Sequence, residues 1–172
     1  VEWDIEGYTG IELWNYMSEF KSYLTSRTGA VRAAFDPDRF ISGPFPETLA
    51  LWDNLLAEGR RVKIIGGSDA HANTYSLGPI QRQIFPYEYL FQCVNTHILC
   101  PAPLSGDHAR DRLAILAALR EGTAFVGYDL PAPTRGFRFS AQGRNTAAVM
   151  GEWIPLGHGV TIQIGLPHRA EM

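Results

Sequence analysis

The stretch Arg61-Val62-Lys63-Ile64-Ile65-Gly66-Gly67-Ser68-Asp69-Ala70-His71 decides the reading of this chain. Its apolar, β-branched first part predicts a buried strand over Arg61 to Ile65. Two glycines then let the backbone turn tightly, and a carboxylate and an imidazole follow two places apart. If the segment stays extended, Asp69 and His71 point to the same side, because strand side chains alternate with period two. One carboxylate and one imidazole on one face suit a divalent ion such as zinc or manganese. The same residues admit a plainer reading, in which Asp69 caps the next helix and His71 belongs to a surface loop.

Outward from that stretch, the chain divides into helical and extended patterns. Upstream, Thr9-Gly10 leads into Ile11-Glu12-Leu13-Trp14-Asn15, whose alternation predicts a strand. Met17, Phe20 and Leu24 form a one-faced stripe that predicts a helix from Met17 to Arg27, with Gly29 as its stop. Val31 to Phe35 reads as a second short helical turn before Pro37, and Asp36 to Pro46 as a loop. Glu47 to Glu58 carries the clearest helix, with Leu49, Trp52, Leu55 and Leu56 apolar and Gly59 just past the end. Trp52 reads as core rather than as a cofactor platform.

Downstream, His71 to Gln92 reads as an ordered aromatic loop across the mouth of the site, with Arg82 a candidate contact for an anionic substrate. Phe91 to Leu99 predicts a strand that carries His97. Asp107 is an N-cap for a helix from His108 to Arg120, with Leu113, Leu116 and Leu119 apolar and Gly122 at its end, and Thr123 to Gly127 is a further buried strand. Asp129 reads as a turn residue before Pro131, His108 as exposed, and His158, between two glycines, as a turn residue. After Pro131 and Pro133 only strand signals remain, over Gly136 to Phe139, Val149 to Ile154 and Val160 to Leu166.

Three of these stretches resemble a known family. "IIGGSDAHA" preceded by "LALWDNLLAEGRRV" resembles the late metal-binding motif of the PHP (polymerase and histidinol phosphatase) family, nearest its CehA/McbA-like branch. "GIELWN" is similar to the family's strand before that motif, and "AILAALREGTAFVGYD" to its last helix and strand. The resemblance implies an α/β fold. Residues 1–130 would be the C-terminal half of a distorted β/α barrel, and residues 131–172 the start of a small β-sandwich of antiparallel strands. It implies that Asp69 and His71 are metal ligands and that Asp69 doubles as the base orienting water; Glu12 is a candidate supporting carboxylate, its plainer reading a partly exposed strand carboxylate or one paired with a basic neighbour. His97 is a further candidate to face the pocket.

The implied activity is metal-dependent hydrolysis of a phosphoester or another ester, with zinc, manganese or iron activating water. The family's His-x-His occurs nowhere in this chain, and full α/β barrels run to about 200 residues or more. The expectation is therefore a part of a longer enzyme whose own metals and activity are incomplete. Its open sheet edge would pair with another copy or with the missing barrel half. The rival expectation is a non-catalytic binding or cell-surface module.

Composition bounds the rest. The 172 residues are 45% hydrophobic and 19% charged, which predicts a packed core rather than disorder. A net charge of −3 with no basic patch disfavours a nucleic-acid partner. No continuous apolar run of about 18 residues occurs, so no membrane-spanning segment is expected. Cys93 and Cys100 match neither a zinc knuckle nor a redox pair.

Overall fold

The computed structural model describes residues 5–24, 39–72, 74–77, 80–83 and 85–167. Strand β1 (Gly10–Asn15) runs into helix α1 (Tyr16–Ser22), and α2 (Pro46–Ala57) leads to β2 (Lys63–Gly67). A hairpin of β3 (Thr74–Leu77) and β4 (Ile80–Gln83) follows, then the single turn α3 (Tyr87–Leu90) and β5 (Val94–Ile98). Helix α4 (His108–Glu121) connects to β6 (Ala124–Tyr128), and β7 (Arg138–Gln142), β8 (Ala147–Val149) and β9 (Thr161–Gly165) close the order.

Among the described residues the expected barrel portion is not formed. The described strands form four separate sheets, three of two strands and one of three, and none is closed. Among the described strands only β1 and β2 pair in parallel, while β5 and β6 are antiparallel. The physical reason sits at Gly66. Its N–H donates to Thr96 Oγ1 at 2.9 Å, and that hydroxyl donates back to Gly66 O at 2.6 Å. A side chain thus takes the backbone groups that a neighbouring strand would use in a continuous ladder. The β1–β2 pair is also irregular in itself, with a register shift between Glu12 and Trp14.

The local signals fare better than the architecture. Asn15 caps α1 by accepting from Ser18 N. Helix α2 begins on Pro46, as the first turn favours, and Gly59 lies in the left-handed region beyond its end. Asp107 caps α4 by accepting from Ala109 N and Arg110 N, and Gly122 ends it at φ 77°. Ser105 N leads the donors that hold the Asp111 carboxyl below its ordinary range, joined by Ser105 Oγ and Gly106 N, and they tie the preceding loop to the same helix.

Several expectations need correcting. Helix α1 ends at Ser22; Arg27, Gly29, Val31 to Phe35 and Pro37 lie outside the described residues. The strand after Arg61 is half-buried rather than buried, with Ile65 exposed. The segment from His71 to Gln92 is no continuous loop, since it contains β3, β4 and α3. On α2 the buried positions are Thr48 and Leu55, while Leu49 and Leu56 are exposed. Only Ala118 of α4 is buried, and Leu113 and Leu116 face solvent.

The core is aromatic. Tyr16, Met17 and Phe20 from α1 pack on Phe85, Leu90, Cys93 and Val94, flanked by Trp14, Ala70, Tyr89, Val126 and Tyr128. Phe20 and Phe85 meet edge to face, with ring centroids 4.7 Å apart. Glu19 is buried beside this core, and its carboxylate accepts from Trp14 Nε1 at 2.7 Å, from Ser42 N at 2.7 Å and from Gly43 N at 3.1 Å. It thereby fastens the loop at 42–43 to α1. In the last sheet β7 lies between β8 and β9.

Gly66 is the tightest point between the two strand pairs. A Cβ there would lie 2.4 Å from Val126 Cγ1 and 3.0 Å from Trp14 O. Gly66→Ala is expected to lower stability by about 1–3 kcal/mol through overpacking. Adding Val126→Ala should relieve part of that loss, leaving the double variant closer to the Val126→Ala protein than to Gly66→Ala. Urea unfolding of the single and double variants checks the coupling.

Candidate functional site

Beyond β2 the chain leaves the strand at once. Ser68 is buried, and its hydroxyl reaches the carbonyls of Leu90 and Val94, the latter at 3.0 Å. Ala70 packs against the core. Between them Asp69 sits at φ 49°, a left-handed conformation that aspartate tolerates better than most residues. The turn brings His71 back onto Asp69. Its Nδ1 lies 2.6 Å from the Asp69 main-chain oxygen and 3.2 Å from Asp69 Oδ1. The two side chains therefore meet through a turn, not through strand alternation. Both are solvent-accessible, His71 the more so.

Glu12 does not join them. It is exposed on β1, opposite Ile65, and Asn15 Nδ2 donates to both of its oxygens at 3.3 and 3.2 Å. Its carboxylate passes close to Gly67 and borders a cavity of about 410 Å³ whose walls include Tyr8, Phe45 and Thr48 but neither Asp69 nor His71. Among the described residues no three histidine, cysteine, aspartate or glutamate side chains gather as a metal group. Asp69 and His71 fit two ligand positions, and the described residues do not complete a catalytic cluster. The Arg82 side chain lies outside the described residues, although its backbone pairs with Tyr75. His108 and His158 are exposed.

The most fully built polar cluster is one that residue patterns gave little reason to expect. Asp129, just past β6, accepts Thr134 N at 2.8 Å and Thr134 Oγ1 at 2.5 Å on one oxygen. Its other oxygen takes Asn95 Nδ2 at 3.0 Å and His97 Nε2 at 2.8 Å. Thr134 Oγ1 also lies 3.1 Å from His97 Nε2, and the imidazole stacks on Phe125 with centroids 4.6 Å apart. Asn95 and His97 share a face of β5 because they are two residues apart. Gly127 leaves room for Thr134, since a Cβ there would lie 2.2 Å from Thr134 Oγ1. The signals present in the sequence were Asn-x-His on one strand and a glycine two before an aspartate on the next.

Burial pushes the Asp129 carboxyl up, but the hydrogen bonds from Thr134, Asn95 and His97 outweigh it and hold the group below its ordinary value. Elsewhere an apolar cavity of about 630 Å³ opens between the two strand pairs and the last sheet, lined by Trp14, Trp52, Phe125, Phe137, Phe139 and Trp153 among others. Comparison with family models, with curated proteins and with solved structures finds no match to this chain.

A depressed carboxyl stabilises the fold above its unfolded value and loses that contribution as pH falls through the folded one. The stability deficit of Asp129→Asn relative to wild type should therefore be full at neutral pH and shrink below about 3.8, the ordinary carboxyl value. Urea midpoints across that range check it; a deficit that stays constant on acidification contradicts it.

Proposed function

We propose that this chain carries part of the ligand set of a PHP-type metal-dependent hydrolase acting on phosphoesters or related esters. The observation that supports the reading best is the Asp69–His71 corner after β2. With Nδ1 of His71 turned to the Asp69 main-chain oxygen at 2.6 Å, Nε2 is the nitrogen left for a cation. Imidazole ligands are commonly oriented by a carbonyl or carboxylate on their other nitrogen. The Asp69 carboxylate stands on the same turn as a second donor. A zinc, manganese or iron ion held there supplies Lewis acidity and a bound water of lowered pKa. The reading requires further donors from beyond the described residues.

The rival reading, a non-catalytic binding module, draws support from the apolar cavity of about 630 Å³. Its size and lining suit a small apolar ligand.

Metal binding separates the two. Calorimetric titration of the chain with zinc or manganese should show saturable binding that His71→Ala and Asp69→Ala each weaken at least about tenfold. Equal binding by wild type and both variants, or none by wild type, removes the corner from any ligand set.

A further inference from the structure

The Asp129 cluster has a second side. His97 spends Nε2 on Asp129 and Thr134, and its Cδ2 edge lies against Gly127. Its ring is pinned on Phe125. Nδ1 is thus the ring nitrogen not used inside the cluster. His97 also lines a cavity of about 350 Å³ with Cys100, Phe125, Arg135 and Arg138. Among the described residues no carboxylate lines that cavity, although the chain as a whole carries a net charge of −3. Asp129 is held behind the imidazole rather than in the cavity. Gly136, at φ 102°, turns the chain between the two arginines. Arg138 donates from Nη1 to Phe137 O at 2.9 Å, which leaves further N–H groups of its planar fork for an anion.

We infer that this cavity is a phosphoryl-binding site, in which Arg135 and Arg138 neutralise the oxyanion and His97, oriented by Asp129, hydrogen-bonds to it. The ligand is inorganic phosphate or a small phosphate monoester. Two guanidinium groups and a fixed imidazole, around a space that no described carboxylate lines, match the charge and the hydrogen-bonding capacity of such a group. The inference does not rest on the Asp69–His71 corner, because it names different residues and requires no metal.

Cys100 supplies the test. It lines the same cavity, while the other cysteine, Cys93, is buried in the core. Alkylation by iodoacetamide, followed by peptide mass analysis, therefore reads occupancy at Cys100. With metal chelated throughout, inorganic phosphate should slow Cys100 alkylation saturably, by at least about threefold, while sodium chloride at matched ionic strength should not. The Arg135→Gln, Arg138→Gln double variant should lose the protection; both side chains are exposed, and thermal unfolding of the double variant establishes that it is folded. Phenyl phosphate protecting at lower concentration than phosphate assigns the site to a monoester, and equal concentrations assign it to the free anion. Absence of protection, equal protection by chloride, or protection retained in the folded double variant overturns the inference. Loss of metal binding in His71→Ala with phosphate protection intact separates this site from the hydrolase reading.

Discussion

The contact on which this structure depends is the one between the Thr96 hydroxyl and the backbone of Gly66. A single hydroxyl donates to the carbonyl and accepts from the N–H of the same residue, at 2.6 and 2.9 Å. It does so only because position 66 carries no side chain, with Val126 already occupying the space where one would go. Two consequences follow. The β1–β2 pair is held on the face of the β5–β6 ribbon that bears Thr96 and Val126, and the other face, bearing Asn95, His97, Phe125 and Gly127, is left for the polar cluster. The Ser68 hydroxyl extends the same crossing toward Leu90 and Val94. That pins the start of the turn on which Asp69 and His71 stand.

Much of the local structure was legible in the sequence, and for identifiable reasons. Asp107 and Gly122 bracket α4 because caps answer to backbone groups within one turn. Gly59 does the same for the end of α2, whose start at Pro46 lies one residue before the expected Glu47. The strand pairing was not legible, because it is settled between residues about thirty apart in sequence (Gly66 with Thr96) through a side-chain hydroxyl that leaves no periodic mark. An apolar run after Arg61 signals a strand, but not whether it joins a barrel. The exposed leucines of α4 show the same limit, since periodicity predicts an apolar stripe without saying what covers it.

The candidate site divides along the same line. Asp69 and His71 were named from local spacing, and they stand together in the structure for a different reason, the left-handed conformation at Asp69. Glu12 was named as their neighbour and instead lies bonded to Asn15. Asp129 was read as a turn residue and His97 as a candidate for another pocket, because nothing local joins two residues 32 apart. What joins them is the β5–β6 register, which sets Asn95 opposite Gly127 and His97 opposite Phe125. A carboxylate with four hydrogen bonds on its two oxygens is a rigid support, and here it fixes an imidazole.

One further pair of glycines has a wider meaning. Gly122, which ends α4, and Gly151, after β8, both hold positive φ, and a Cβ on Gly151 would lie 2.3 Å from Gly122 O. Main chain rests directly on main chain there. Two turns distant in sequence thus share a tolerance smaller than a methyl group, so Gly151 cannot drift to another residue over time unless the helix terminus it abuts yields in step.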